Sequence, residues 1–286
     1  MRTMIQYRSF TKVLVLLGLC LLTCLGCEDT DLRLATEAGV DAVKALALSK
    51  GQVKALSAET AAHLDSRHRI APPGNPYAVR LERLSTPYRE VQGQRFEYRA
   101  YLEDTVNAFA LGDGTIRVYS GLMDMLDDQE LLFVLGHEMG HVLEDHVKEK
   151  MQVALAVVAL RKGLASQQNI VGDLARSGLG AFGQRLLNAQ FSQQEEREAD
   201  DFGYRFLKRQ GHDPAMAVSA LNKLATLGSG HSFLSSHPAP GERAKRLQHP
   251  DQDDKTSGIL DRLIDLVKQI LQLGLDVLRW LAGLVF

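Results

Sequence analysis

Two histidines four residues apart, with a glutamate after the first, are the side chains best placed for chemistry in this 286-residue chain: His137-Glu138-Met139-Gly140-His141. On a helix, positions four apart lie one above the other, so both imidazoles can address a single cation while Glu138 turns toward its open side. Imidazole suits zinc, and a catalytic zinc keeps one position for water. Metal-bound water is acidic near neutral pH, and a neighbouring carboxylate can take its proton during attack on a peptide carbonyl. Glu138 is the candidate for that base. The bland alternative is a helix with two surface histidines and a solvated glutamate, but the flanking residues are strongly apolar, where unpaired polar groups are expensive to bury.

A third ligand must come from elsewhere. The position six residues after His141 is Val147, and His146 is one residue out of that register. The acidic run Gln194-Glu195-Glu196-Arg197-Glu198-Ala199-Asp200 offers another source. Glu196 and Asp200 share a helical face, so Glu196 can bind the metal and Asp200 can hydrogen-bond a ligating imidazole and fix its tautomer. Glu195 and Glu198 compete for the ligand role, and the helix dipole favours acidic residues at a helix start without any metal.

The elements that must hold these groups follow from periodicity. Leu131, Leu132, Val134, Leu135, Met139 and Val142 give an apolar face to a helix over residues 128–150, capped by Asp127 or Asp128. A second helix starts near Ser192, with Glu195 at capping-box spacing, and ends at Gly211. Residues 96–101 and 115–119 alternate, and Gly112-Asp113-Gly114 reads as a turn; a small antiparallel sheet with an edge strand at Asn107, Ala108, Phe109 and Ala110 is expected. Residues 30–65 read as amphipathic helices, the breaker 71–76 as a boundary, and residues 151–190 as loosely connected helices. The expected fold class is α+β, predominantly helical.

Composition narrows the function classes. The chain is 45% hydrophobic and 24% charged with a net charge of −2, which offers no concentrated basic face for nucleic acid. Its three cysteines all lie between residues 20 and 27, so neither a disulfide framework nor a cysteine metal site is expected in the body of the protein. Arg2, Arg8 and Lys12 precede an apolar run from Val13 to Leu25, followed by Gly26-Cys27. That is the layout of a secretory signal over residues 1–26, and its end resembles a bacterial lipobox with Cys27 as the lipid-bearing residue. Lipidation would attach the protein to a membrane. Near the other end, Asp261, Asp265, Lys268, Gln272, Asp276 and Arg279 fall on one helical face of an otherwise apolar segment, 259–286. Such a helix must lie on a bilayer, pack on its own domain, or pair with another subunit.

Three blocks together resemble the HtpX and CAAX-prenyl-protease family of gluzincin metallopeptidases, in its secreted bacterial branch. They are Asn107-Ala108-Phe109-Ala110 with Gly114 and Gly121-Leu122; His137-Glu138-x-x-His141 with His146; and Glu196-x-x-Ala199-Asp200-x-x-Gly203 followed by Phe233-Leu234-Ser235-Ser236-His237-Pro238 and Arg243. The likeness covers roughly residues 77–248. It implies a zincin-like domain, here about residues 76–250 between a helical segment 27–75 and an appendage 251–286, binding one zinc through His137, His141 and Glu196. It also implies that the edge strand pairs with extended substrate, and that substrates are misfolded or stalled envelope proteins. In some secreted relatives a His-Pro loop places an imidazole near the metal and blocks the water site, and His237 matches that loop. Arg243 can stabilise an oxyanion or a carboxylate partner, or be a solvated residue at a helix start. His146, His212 and His231 read as structural or surface groups. The implied setting is periplasm-facing and lipid-anchored, with an outer-membrane location favoured by Glu28 after Cys27. Two other readings stay open: a chaperone or assembly factor with a largely structural metal site, and a membrane-shaping factor driven by residues 259–286.

Overall fold

A computed structural model describes residues 48–161, 179–228 and 231–249. Cys27, the signal-like segment and residues 259–286 lie outside these. The apolar run carrying the histidines forms helix α4, Asp128–Leu143, within the order α1 Lys50–Asp65, α2 Pro76–Ser85, β1 Glu90–Val91, β2 Gln94–Arg95, β3 Glu97–Tyr101, β4 Ala108–Ala110, β5 Thr115–Tyr119, α3 Ser120–Met125, α4, α5 His146–Arg161, α6 Leu179–Asn188, α7 Gln193–Arg209, α8 Ala215–Leu224, α9 Ser232–Ser236 and α10 Pro240–Gln248. Asp127 caps α4: its side chain accepts from the Gln129 and Glu130 amides, while the Glu130 carboxylate reaches back to the Asp127 amide. Every residue from Glu130 to His141 is buried.

The helix expected over 128–150 is in fact two. Glu144 caps α4, and Asp145 adopts a left-handed conformation at φ 61°, which aspartate tolerates better than most residues. A new helix then starts at His146. This break sets the direction of His146, as described below.

The helix expected from Ser192 forms as its sequence implies. Ser192 accepts from the Glu195 amide and the Glu195 carboxylate accepts from the Ser192 amide, and Gly211 follows the last turn at φ 76°. Helices α4 and α7 run antiparallel, in contact through small residues. A Cβ added to Gly140 would lie 3.0 Å from the Phe202 Cβ and 3.1 Å from the Ala199 Cα; one added to Gly136 would lie 2.8 Å from the Phe206 ring and 3.1 Å from the Gly203 Cα. The glycine inside the histidine motif is therefore a close-approach residue. Overpacking costs about 1–3 kcal/mol, against up to about 1 kcal/mol of helix propensity gained by alanine. Gly136→Ala is expected to lower stability by about 1–2 kcal/mol in denaturant titration; an unchanged midpoint would show that the helices separate freely.

The sheet is mixed rather than antiparallel. Strands run in the order β3-β5-β4, with β4 antiparallel to β5 (Phe109 opposite Arg117) and β3 parallel to it (Tyr98 opposite Ile116). The expectation failed because the Gly112-Asp113-Gly114 turn joins β4 to β5 and leaves β5 in the centre. Strand β3 then takes the other side of β5 and must run the same way. Strand β4 lies at an edge, as expected. Asn107, Phe109 and Leu111 bond toward β5, so the amides and carbonyls of Ala108 and Ala110 point away from it.

Helix α1 buries Val53, Leu56, Ser57, Thr60, Ala61 and Leu64, one face at helical spacing. These share a core with Tyr101, Phe109, Leu111, Met151 and Phe182. Asp65 at its end accepts from Tyr101 Oη at 2.7 Å and from Arg117 Nε at 2.9 Å. Burial alone would raise that carboxyl, but the Arg117 and Tyr101 hydrogen bonds outweigh it and hold it below the usual range. The other core packs β3–β5 against α4, α7 and α8 through Ile116, Val118, Leu131, Leu135, Phe206 and Leu221. Among the described residues no helix is long and apolar enough to cross a membrane.

Candidate metal centre

Four side chains from three separate places meet where α4 faces α7. Helix α4 contributes His137 and His141, α7 contributes Glu196, and His237 comes from the residue that ends α9; all four are buried, and one donor atom of each lies within 4.8 Å of the others. His137 Nε2 is 3.1 Å from His141 Nε2 and 3.3 Å from His237 Nδ1. Glu196 Oε1 is 3.4 Å from His141 Nε2 and 2.9 Å from His237 Nδ1. Tetrahedral zinc with bonds of about 2.0–2.1 Å spaces its donors about 3.3–3.4 Å apart. The cluster fits such an ion with small adjustments.

The surroundings set the charge states a cation needs. Loss of solvent holds the His141 imidazole well below its ordinary pKa, which keeps it neutral. Burial alone would raise the Glu196 and Asp200 carboxyls, but the Arg243 guanidinium outweighs it and holds both below the usual range, Glu196 far below. Helix α10 delivers Arg243 three residues after Pro240 at its first turn, and the preceding Ala239 takes a left-handed φ of 52°. Arg243 donates from Nε to Asp200 Oδ2 at 2.9 Å and from Nη2 to Asp200 Oδ1 at 2.6 Å, and its Nη1 contacts Glu196 Oε2. The guanidinium is thus buried and engaged with carboxylates. Asp200 Oδ1 in turn lies 3.1 Å from His137 Nδ1, so Asp200 meets the ring nitrogen that faces away from the cluster.

Glu138 lies beside the donors, not among them. It is buried, its Oε1 has no hydrogen-bond partner, and that oxygen is 3.5 Å from His237 Nε2. The competing acidic residues are occupied elsewhere: Glu195 caps α7, and Glu198 Oε2 sits 2.7 Å from His146 Nε2. Aromatic rings wall the site. Phe191 stacks on His141 at 3.8 Å between centroids, and Phe233 stacks on His237 at 4.8 Å.

This donor set, with the buried Glu138 alongside, suits a peptidase metal centre, and comparison with known proteins agrees. Peptidase family M48 matches residues 80–251. The chain belongs to that family. It is 44% identical over 226 residues to Metalloprotease LoiP of Escherichia coli (strain K12), covering 78% of this chain and 90% of LoiP. It is 35% identical over 244 residues to Metalloprotease YcaL of the same organism, covering 83% of this chain and 96% of YcaL. The Beta-barrel assembly-enhancing protease of Yersinia pestis is 30% identical over 181 residues, 59% of this chain and 36% of that one. As an M48 peptidase the chain is a zinc metalloendopeptidase, and the expected α+β, mostly helical zincin-like architecture is the one observed.

Three features of the M48 site escape a reading of the sequence. His146, expected to be a structural or surface group, is buried against His141, with 3.1 Å between the two Nδ1 atoms. Phe191 carries no motif that marks it as a wall of the site. Half-buried Lys150 places Nζ 3.9 Å over the Phe191 ring, where loss of solvent pushes its ammonium down to about 8. The signals for His146 were its part in the family resemblance and its place five residues after His141, which points away on an unbroken helix.

Proposed function

We propose that the chain hydrolyses peptide bonds of misfolded or envelope proteins, with His137, His141 and Glu196 holding zinc and Glu138 acting as general base. One observation carries this: three donors from two antiparallel helices converge within bonding reach of one ion, and beside them lies a buried Glu138 whose Oε1 has no hydrogen-bond partner. When bound, zinc polarises the scissile carbonyl and makes a solvent molecule acidic near neutral pH. Glu138 takes the proton from that solvent molecule and passes it to the departing amide nitrogen. Asp200 accepts from His137 Nδ1 and leaves Nε2 unprotonated for the metal; Arg243 holds Asp200 and Glu196 ionised and in place.

Substrate would arrive as an added strand on β4 at its accessible end, where half-buried Ala110 points its backbone groups away from β5, and alternate pockets would read alternate side chains. His237 occupies the corner that a solvent molecule needs, with Nδ1 beside Glu196 and Nε2 toward Glu138. It therefore acts as a displaceable fourth donor that restrains activity. Residues 76–250 would be the peptidase unit, carried by an exported precursor and anchored through Cys27; residues 259–286 would add a membrane or partner contact. The likeness to the Beta-barrel assembly-enhancing protease of Yersinia pestis favours envelope proteins as substrates over soluble cytoplasmic ones.

The test is cleavage of casein by the purified chain beside its His237→Ala variant. Chelation is expected to stop cleavage and added zinc to restore it, and His237→Ala is expected to cleave several-fold faster with zinc retained. Cleavage indifferent to chelator would refute the metal mechanism, and a slower His237→Ala enzyme with full zinc would refute the restraint.

A further inference from the structure

We infer that His146 and Glu198 form a relay that fixes the tautomer of His141 and so aims its Nε2 lone pair into the donor cluster. Both are positioning residues. Glu198 Oε2 lies 2.7 Å from His146 Nε2, and Glu198 Oε1 accepts from Gln194 Nε2 at 2.9 Å. An ionised carboxylate can only accept, so the proton of this contact belongs to His146 Nε2. A neutral imidazole has one donor and one acceptor, which makes His146 Nδ1 the acceptor. Among the described residues the one hydrogen-bonding group it meets is His141 Nδ1 at 3.1 Å, which must then carry a proton. His141 Nε2 is left bare, 3.1 Å from His137 Nε2 and 3.4 Å from Glu196 Oε1. Run the other way, the same chain would put a proton on His141 Nε2, in the middle of the donors.

The two ligating imidazoles thus reach the same tautomer by different routes. His137 has a fully buried carboxylate against it, Asp200, at 3.1 Å. His141 has another imidazole interposed, and its relay ends on a carboxylate whose side chain is 43% exposed. The left-handed turn at Asp145 makes this possible. On one continuous helix His146 would sit about 140° around the axis from His141; with the helix broken, it starts α5 and folds back toward the ring. Hydrogen-bond partners behind a metal ligand are typically worth about 10–100-fold in metal affinity.

The test is zinc affinity, measured by competition with a chromophoric chelator, for wild type, His146→Leu, His146→Asn and Glu198→Leu. His146→Leu is expected to raise the zinc Kd about 10–100-fold, and Glu198→Leu about tenfold. His146→Asn keeps an amide oxygen that can accept from His141 Nδ1, and is expected to stay within about threefold of wild type. Long-range 1H–15N spectra of the zinc-free chain should show His141 protonated at Nδ1 in wild type and His146→Asn, and a tautomer mixture in His146→Leu. Equal weakening by His146→Leu and His146→Asn would reduce His146 to a packing role and overturn the relay. If the His146 variants do not fold, Glu198→Leu at the exposed end decides, with wild-type affinity overturning the inference. The inference rests on His141 being a zinc ligand. Full zinc retained by His141→Ala sinks both ideas, whereas zinc lost from His141→Ala but unchanged in Glu198→Leu sinks the relay alone.

Discussion

Glu138→Gln is expected to reduce peptide hydrolysis by about 10²–10⁴-fold while leaving zinc content unchanged. That loss corresponds to about 3–5 kcal/mol of transition-state stabilisation. The amide is nearly isosteric but cannot take a proton from solvent, and Glu138 is not among the four side chains whose donor atoms converge. Stability should hold or rise. The Glu138 Oε1 is buried without a hydrogen-bond partner, and such a group is expensive to keep ionised away from water. Casein turnover, zinc content and a thermal melt together check this. A variant that cleaves at wild-type rate would remove Glu138 from the chemistry. One that loses cleavage but keeps its cellular role would favour a chaperone with a structural metal.

Arg243→Ala should be the most damaging change that touches no bare donor atom of the cluster. The guanidinium is buried, engages Asp200 through two nitrogens and contacts Glu196 through the third. Removing one partner from a buried ion pair typically costs about 3–5 kcal/mol, because the remaining charge stays buried without its counter-ion. For a protein of this size that amounts to a fall in Tm on the order of 10 °C. Saturating zinc should recover part of the loss, since the cation binds the folded form and supplies positive charge beside Glu196. Arg243→Lys should not restore wild-type stability, because an ammonium cannot make the two-pronged contact to Asp200. Melts of each form with and without zinc measure the effect. A shift of only a degree or two in the zinc-free form would mean that Asp200 and Glu196 do not depend on this partner.

What could be read from the sequence follows from how local each feature is. The two histidines of α4 and the Glu196–Asp200 pair of α7 obey a helical period, so their shared faces are visible in the spacing alone. The convergence of His237 on them depends on the turn through Pro238 and Ala239, and only resemblance to relatives pointed to it. Arg243 was ambiguous for the same reason: nothing within ten residues of it reveals that it meets Asp200. The sheet went partly wrong because Gly112-Asp113-Gly114 marks a turn without saying which strands it joins. The reading of His146 as a structural or surface group did not place it against His141, because Glu144-Asp145 carries no strong breaker and the left-handed residue that redirects the chain is visible only in the backbone.

The most direct measurement is the zinc content of the purified chain beside Glu196→Ala, with casein cleavage followed in the same samples. Glu196 comes from a different helix than the histidines and reaches His141 Nε2 at 3.4 Å, so its loss removes one donor of the shared site while both histidines stay in place. The expected result is about one zinc per wild-type chain, in keeping with the one four-donor cluster among the described residues, with little zinc and no cleavage in Glu196→Ala. A Glu196→Ala protein that holds zinc as tightly as wild type and still cleaves would contradict the account at its centre.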